Sequence, residues 1–158
     1  MPIDAQARLR ARYERIAAQL GELFAKNDDP ISRMATAVAL LHHKLGHFFW
    51  TGFYRLIDGE LMVGPYQGPL ACSILERDQG VCWACVNCTE PVLVPDVERF
   101  EGHIACDARS RSEVVVPVYD SAGAVVAVLD VDARAVDAFG PADVQGLARV
   151  AGMIYARR

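Results

Sequence analysis

EVVVPVYDSAGAVVAVLDVD, residues 113–132, is the stretch that decides the fold. Two valine-rich runs, Glu113 to Tyr119 and Ala124 to Asp132, flank the turn Asp120-Ser121-Ala122-Gly123. Short β-branched runs bounded by Asp, Ser and Gly read as strands, and the short connection makes them an antiparallel hairpin. The second run is apolar until its end. There Asp130 and Asp132 stand two residues apart, and therefore on one face. In such a hairpin the start of one strand lies beside the end of the other, so Glu113 is expected next to both. Three converging carboxylates repel one another, which raises at least one pKa. That suits general acid work or the binding of an ammonium group. The plainer reading is a set of solvated strand ends with Arg109, Arg111 or Arg134 nearby.

Upstream lies a second pair of strands. HFFWTGFYRLI, from His47 to Ile57, is dense in aromatic and β-branched residues, and Asp58-Gly59 is a strong two-residue hairpin turn. ELMVGPYQ, Glu60 to Gln67, returns with Leu61 and Val63 on one face; Gly64-Pro65 suggests an early exit from the ladder or an edge position. Trp50 and Tyr54, four apart, share a face and could wall a pocket, or simply pack against the terminal helices. Leu9, Tyr13, Ile16, Leu20, Leu23 and Phe24 form one helical stripe over residues 4–25. Ile31, Met34, Val38, Leu41 and Leu45 form another, opened by Asp29 as N-cap and Pro30 and stopped near Gly46. The last helix opens at Gly140-Pro141 and faces inward through Val144, Leu147, Val150, Ala151 and Ile154. Between the hairpins, Gly80 to Cys88 reads as a short helix, Pro91 to Val94 as a short strand, and 96–103 as a loop with one helical turn. The class is α+β: a mostly antiparallel sheet with the N- and C-terminal helices packed on one face, and residues 1–158 as a single domain.

The composition is that of an ordinary globular chain, 53% apolar and 23% charged with a net charge of −4. Nothing in it suggests a nucleic-acid or membrane partner. The N-terminus lacks the apolar block of a signal peptide, so a cytoplasmic location with reduced thiols is expected.

All five cysteines lie between Cys72 and Cys106, an odd, clustered set that points to redox or metal chemistry. Cys82, Cys85 and Cys88 recur every three residues, close to one stripe of a helix. C-x-x-C is a redox and a zinc spacing; Cys72, His103 or Cys106 could complete a zinc site. The plainer reading treats Cys85 and Cys88 as small buried apolar residues. Cys106 follows Glu101-Gly102-His103, and His103, Arg109 and Arg111 could raise its thiolate fraction. A lone cysteine in such a loop is a candidate nucleophile.

Taken together, W-x-G-F-Y at 50–54, G-P-Y-Q-G at 64–68, Cys72, G-V-C at 80–82, G-H-I-A-C-D with S-x-S-E at 102–113, and L-D-V-D at 129–132 resemble the free methionine-R-sulfoxide reductases, small proteins built on one GAF domain. The resemblance implies reduction of free methionine-R-sulfoxide, with thioredoxin or a similar dithiol as final reductant and no metal or cofactor. It implies Cys106 as nucleophile, Cys72 as main resolving cysteine and Cys82 as auxiliary. Glu113 or Asp132 would act as acid. Trp50, Tyr54, Glu113, Asp130 and Asp132 would form the substrate pocket. A homodimer through the terminal helices is a further expectation from the likeness. The sequence departs from the family pattern after Cys82, where bulky Trp83 and two extra thiols follow. A ligand-binding or redox-sensing GAF domain without catalysis is the alternative reading.

Overall fold

In chain order the elements are α1 (Ile3–Phe24), α2 (Pro30–Lys44), β1 (Trp50–Ile57), β2 (Glu60–Gln67), β3 (Ile74–Leu75), α3 (Gly80–Cys88), β4 (Val92–Val94), a 3-10 turn (Val97–Arg99), β5 (Ser112–Tyr119), β6 (Val125–Ala133) and α4 (Pro141–Met153). The structure is a computed structural model that describes residues 3–103 and 106–157. The strands form one sheet in the order β3-β2-β1-β6-β5-β4, and every neighbouring pair is antiparallel.

Alternation along the strands divides the sheet into two faces. Val114, Val116 and Val118 of β5, with Ala127, Leu129 and Val131 of β6 and Phe53 of β1, point towards α1, α2 and α4. They meet Leu20, Met34, Leu41, Leu147 and Val150, all almost wholly buried. Fully burying side chains of this size stabilises the fold by about 1.5–3 kcal/mol each. The terminal helices do share one face, as the apolar stripes require. Leu23 is an exception: it lies exposed, because the buried stripe of α1 runs instead through Ala17 and Phe24. Trp50 and Tyr54 point to the opposite face, away from those helices, and join a second cluster with Val115, Val128 and the α3 residues Val81, Cys82, Trp83 and Cys85.

Local chemistry explains most boundaries. The Asp29 carboxylate accepts a hydrogen bond from the Ser32 amide at 2.8 Å and caps α2, with Pro30 at its start. That helix ends with Leu45 in an extended conformation, one residue before Gly46. Asp58 and Gly59 both have positive φ, 51° and 81°, the geometry that joins β1 to β2 without splaying them. β2 does not leave the ladder at Gly64-Pro65. The register shifts between the Gly52–Tyr66 and Tyr54–Val63 pairs, so a bulge absorbs Pro65 and pairing resumes. Nor is β2 an edge at its start, since β3 pairs with Leu61 and Met62.

No sequence pattern marks Arg33, yet it is 3% exposed. Its guanidinium donates to the carbonyls of Phe24, Asn27, Met153, Ile154 and Ala156 and pairs with Asp28 at 3.0 Å. Terminal carbonyls of a helix lack partners within it. One cation therefore closes the ends of both α1 and α4.

Candidate active site

The sheet register builds the site. Trp50 pairs with Asp132, and Asp132 pairs with Glu113. One step along, Gly52 pairs with Asp130, and Asp130 with Val115. Directly paired residues point the same way, and so do residues two apart. Trp50, Glu113, Asp130 and Asp132 thus converge on the face that α3 covers. With Tyr54, Cys82, His103 and Cys106 they line one pocket, to which Phe49, Leu70, Gln79 and Asp107 also contribute.

The aromatic wall is a stack. Trp50 lies between Tyr54 and Tyr66, with ring centroids 5.7 and 5.3 Å away and interplanar angles of 23° and 21°. Its Nε1 donates to the Pro69 carbonyl at 3.1 Å, and the Tyr54 hydroxyl donates to the Cys72 carbonyl at 3.3 Å. Gly52 makes the stack possible: a Cβ there would overlap the Trp50 ring and the Tyr66 Cβ. At Gly68, with φ 122°, a Cβ would meet the Phe49 carbonyl at 2.8 Å. Both glycines and Tyr66 lie inside quoted motifs, but their spacing does not reveal why they are needed.

The thiols divide into two groups. Cys72 and Cys106 form a disulfide with Cα atoms 5.9 Å apart across 34 residues of sequence. Cys106 is exposed and Cys72 half-buried. Cys82 is buried on the pocket wall, and its sulfur lies within 4.8 Å of carboxylate oxygens of Glu113 and Asp130. Those three groups are the one set of described residues placed to ligate a metal. The C-x-x-C-x-x-C spacing does not converge on a zinc site: Cys85 is buried within the helix packing, Cys88 is exposed, and Cys72 and Cys106 are paired to each other.

Burial and mutual repulsion raise the pKa of each acid. Burial, then the charge of Asp132, pushes Glu113 up to about 8. Burial and Glu113 raise Asp130; burial and then Asp130 raise Asp132. Asp130 lines the pocket, and its Oδ1 is buried without a hydrogen-bond partner. His103 Nε2 stands 3.5 Å from Glu113 Oε2, and burial lowers the pKa of its imidazole. The Cys82 thiol is pushed up by burial and then by Asp130.

The arginines serve elsewhere. Arg111 pairs with Asp96 and Glu98 at 3.9 and 3.6 Å. Arg109 holds Asp107, the residue after Cys106, through two side-chain bonds at 3.0 and 2.7 Å, which keeps that carboxyl down at about 2. The Arg109 guanidinium also lies over Phe49, 5.0 Å from the ring centroid. Among the described residues, no arginine forms an ion pair with Glu113, Asp130 or Asp132, so the solvated strand-end reading fails. Ile104 and Ala105 of the G-H-I-A-C-D motif lie outside the described residues.

A GAF domain model matches residues 29–156. The free methionine-R-sulfoxide reductase of Escherichia coli is 34% identical over 142 residues, which cover 90% of this chain and 86% of the relative. The chain belongs to the GAF-domain family of free methionine-R-sulfoxide reductases. The Saccharomyces cerevisiae member is 37% identical over 108 residues, 66% of this chain and 60% of the relative. The crystal structure of the Neisseria meningitidis free methionine-R-sulfoxide reductase in complex with its substrate superposes with a TM-score of 0.86 at 34% identity, covering 92% of this chain and 87% of that one. Among the described residues of this family member, no helix is long and apolar enough to cross a membrane.

Proposed function

We propose that the protein reduces free L-methionine-(R)-S-oxide to L-methionine, with Cys106 as the nucleophile. The observation that carries this reading is the Cys72–Cys106 disulfide opening on a pocket walled by Trp50 and Tyr54 and floored by Glu113, Asp130 and Asp132. In the reduced protein the Cys106 thiolate attacks the sulfoxide sulfur. Glu113, still protonated near neutrality, gives its proton to the sulfoxide oxygen; Asp132 is the second choice for this role. Methionine leaves, and the oxygen stays on Cys106 as a sulfenic acid. The Cys72 thiolate displaces that oxygen as water and closes the disulfide, with Cys82 as auxiliary resolving thiol. A dithiol such as thioredoxin then restores both thiols and departs oxidised. The net change is sulfoxide plus dithiol to thioether, disulfide and water.

Selectivity follows from the acids. The unpartnered Asp130 oxygen and its neighbours suit a free ammonium group, and a peptide amide cannot supply that charge. A site that leaves a buried polar group unpaired can reject an analogue by about 10⁴-fold. The same reading takes residues 1–158 as one cytoplasmic domain, paired as a homodimer through its terminal helices. A dithiol-coupled assay with the free R epimer, the free S epimer and a peptide-bound sulfoxide tests it. Turnover is expected with the free R epimer alone. Equal activity on the peptide overturns the pocket argument, and binding without turnover favours the ligand-sensing alternative.

A further inference from the structure

The reductase chemistry uses three thiols and leaves Cys85 and Cys88 without a task. Both lie on α3, and their arrangement is ordered. Cys82 sits on the pocket wall, Cys85 one turn further on is fully buried, and Cys88 at the last position of the helix is exposed. On an α-helix, Cα atoms three residues apart lie about 5 Å from one another. Disulfides span roughly 4.4–6.8 Å between Cα atoms. Cys82 belongs to the first turn of this nine-residue helix and Cys88 to its last, so each pairing with Cys85 involves a terminal turn. The Cys88 sulfur already folds back over the helix end, donating to the Cys85 carbonyl at 3.7 Å and the Glu90 carbonyl at 3.4 Å.

We propose that α3 is a thiol ladder that carries the disulfide out of the catalytic pocket and stores it as a Cys85–Cys88 pair at the protein surface. This rests on the reductase reading above. Cys82 gives its proton to its hydrogen-bond partner Asp130, and its sulfur attacks Cys106 of the Cys72–Cys106 disulfide and releases the Cys72 thiolate. Cys85 then attacks Cys82 and releases Cys106. Cys88 attacks Cys85 and releases Cys82. Each exchange breaks one S–S bond and forms one, and the departing sulfur takes the charge the incoming one gives up, so the oxidation level of the chain is unchanged. An external dithiol finally attacks Cys88, supplies two electrons and leaves as a disulfide.

Access sets the direction: Cys82 and Cys85 are buried, whereas Cys88 at the helix end is exposed to a reductant. Stabilised thiolates make a disulfide oxidising, and destabilised ones make it a resting place. Burial, then the neighbouring Cys88 and Asp130, pushes the Cys85 thiol up to about 12. A disulfide that includes Cys85 is therefore hard to reduce, and Cys88 is the end of it that an external dithiol can reach. Once the pair has moved to Cys85–Cys88, Cys72 and Cys106 are free for another substrate molecule.

The test counts methionine. The fully reduced full-length chain is mixed anaerobically with excess free methionine-R-sulfoxide and no reductant, and the methionine formed per chain is measured. Two per chain are expected, with peptide mapping of the product showing Cys85–Cys88 beside Cys72–Cys106. Cys85→Ala, which keeps the site apolar, is expected to give one, and Cys85→Ser the same. One per chain in the unaltered protein, or two in Cys85→Ala, overturns the ladder. None in the unaltered protein overturns the reductase reading itself, and the ladder with it.

Discussion

The two faces of the sheet use the same strands in opposite ways. On the helix-covered face, β1, β5 and β6 present Phe53, Val114, Val116, Leu129 and Val131, each with essentially no exposure and all in one apolar cluster. On the other face the same strands present Trp50, Glu113, Asp130 and Asp132 to a pocket. The first arrangement maximises the area removed from water. The second holds acids buried, repelling one another, and leaves the Asp130 oxygen without a partner. One face stabilises, and the other spends part of that stability on reactivity. Mutations that keep shape should therefore separate the two.

The largest effect is expected at the proposed nucleophile. Cys106→Ser should form no methionine from the free R epimer while its reduced form melts where the reduced unaltered protein does. Full activity would remove Cys106 from the chemistry. Next comes Glu113→Gln, which should lower kcat/KM by about 10²–10⁴-fold. Its melting temperature should hold or rise, because the neutral amide replaces a carboxyl whose ionisation burial and Asp132 both penalise. Lost stability with retained turnover would invert the assignment of the faces. Leu129→Ala tests the other side of the same strand. It should cost about 2–5 kcal/mol in urea unfolding, as buried leucine truncations do, and leave KM of the folded fraction in place.

A pH series sharpens the contrast. Glu113 keeps its proton in the fold until about 8, against 4.5 in the unfolded chain. Between those values the unfolded state binds fewer protons than the folded state. Stability therefore falls as pH rises from about 4.5 to about 8, and the contribution is constant above that window. Glu113→Gln should flatten that part of the decline in urea titrations across the range. An unchanged slope would mean the carboxyl is ionised in the fold. The smallest effect is expected from Tyr66→Leu, which removes one of the two rings stacked on Trp50. One aromatic contact is worth about 0.5–1.5 kcal/mol, so KM should rise by roughly tenfold or less. A larger fall in stability than in affinity would make Trp50 a packing residue.

Much of this molecule is written in short-range pattern. The β-branched runs of 113–132, the Asp58-Gly59 turn, the Asp29-Pro30 cap and the helical stripes each act within a few residues, and they determine the main helices, the hairpins and the meeting of Glu113 with Asp132 across one turn. The resolving roles expected of Cys72 and Cys82 rest on ordered motifs, whereas Cys106 is a candidate nucleophile from its loop as well. Only the tertiary structure decided that β1 docks along β6, which carries Trp50 to Asp132, and that Cys72 meets Cys106 across 34 residues. It alone revealed the carbonyl cage around Arg33, the approach of His103 to Glu113, and the direction of the α3 thiols from pocket to surface. The reason is physical. Alternation and turn chemistry are properties of neighbouring residues, whereas these contacts depend on which sheet edges and helix ends come together once the apolar faces are buried.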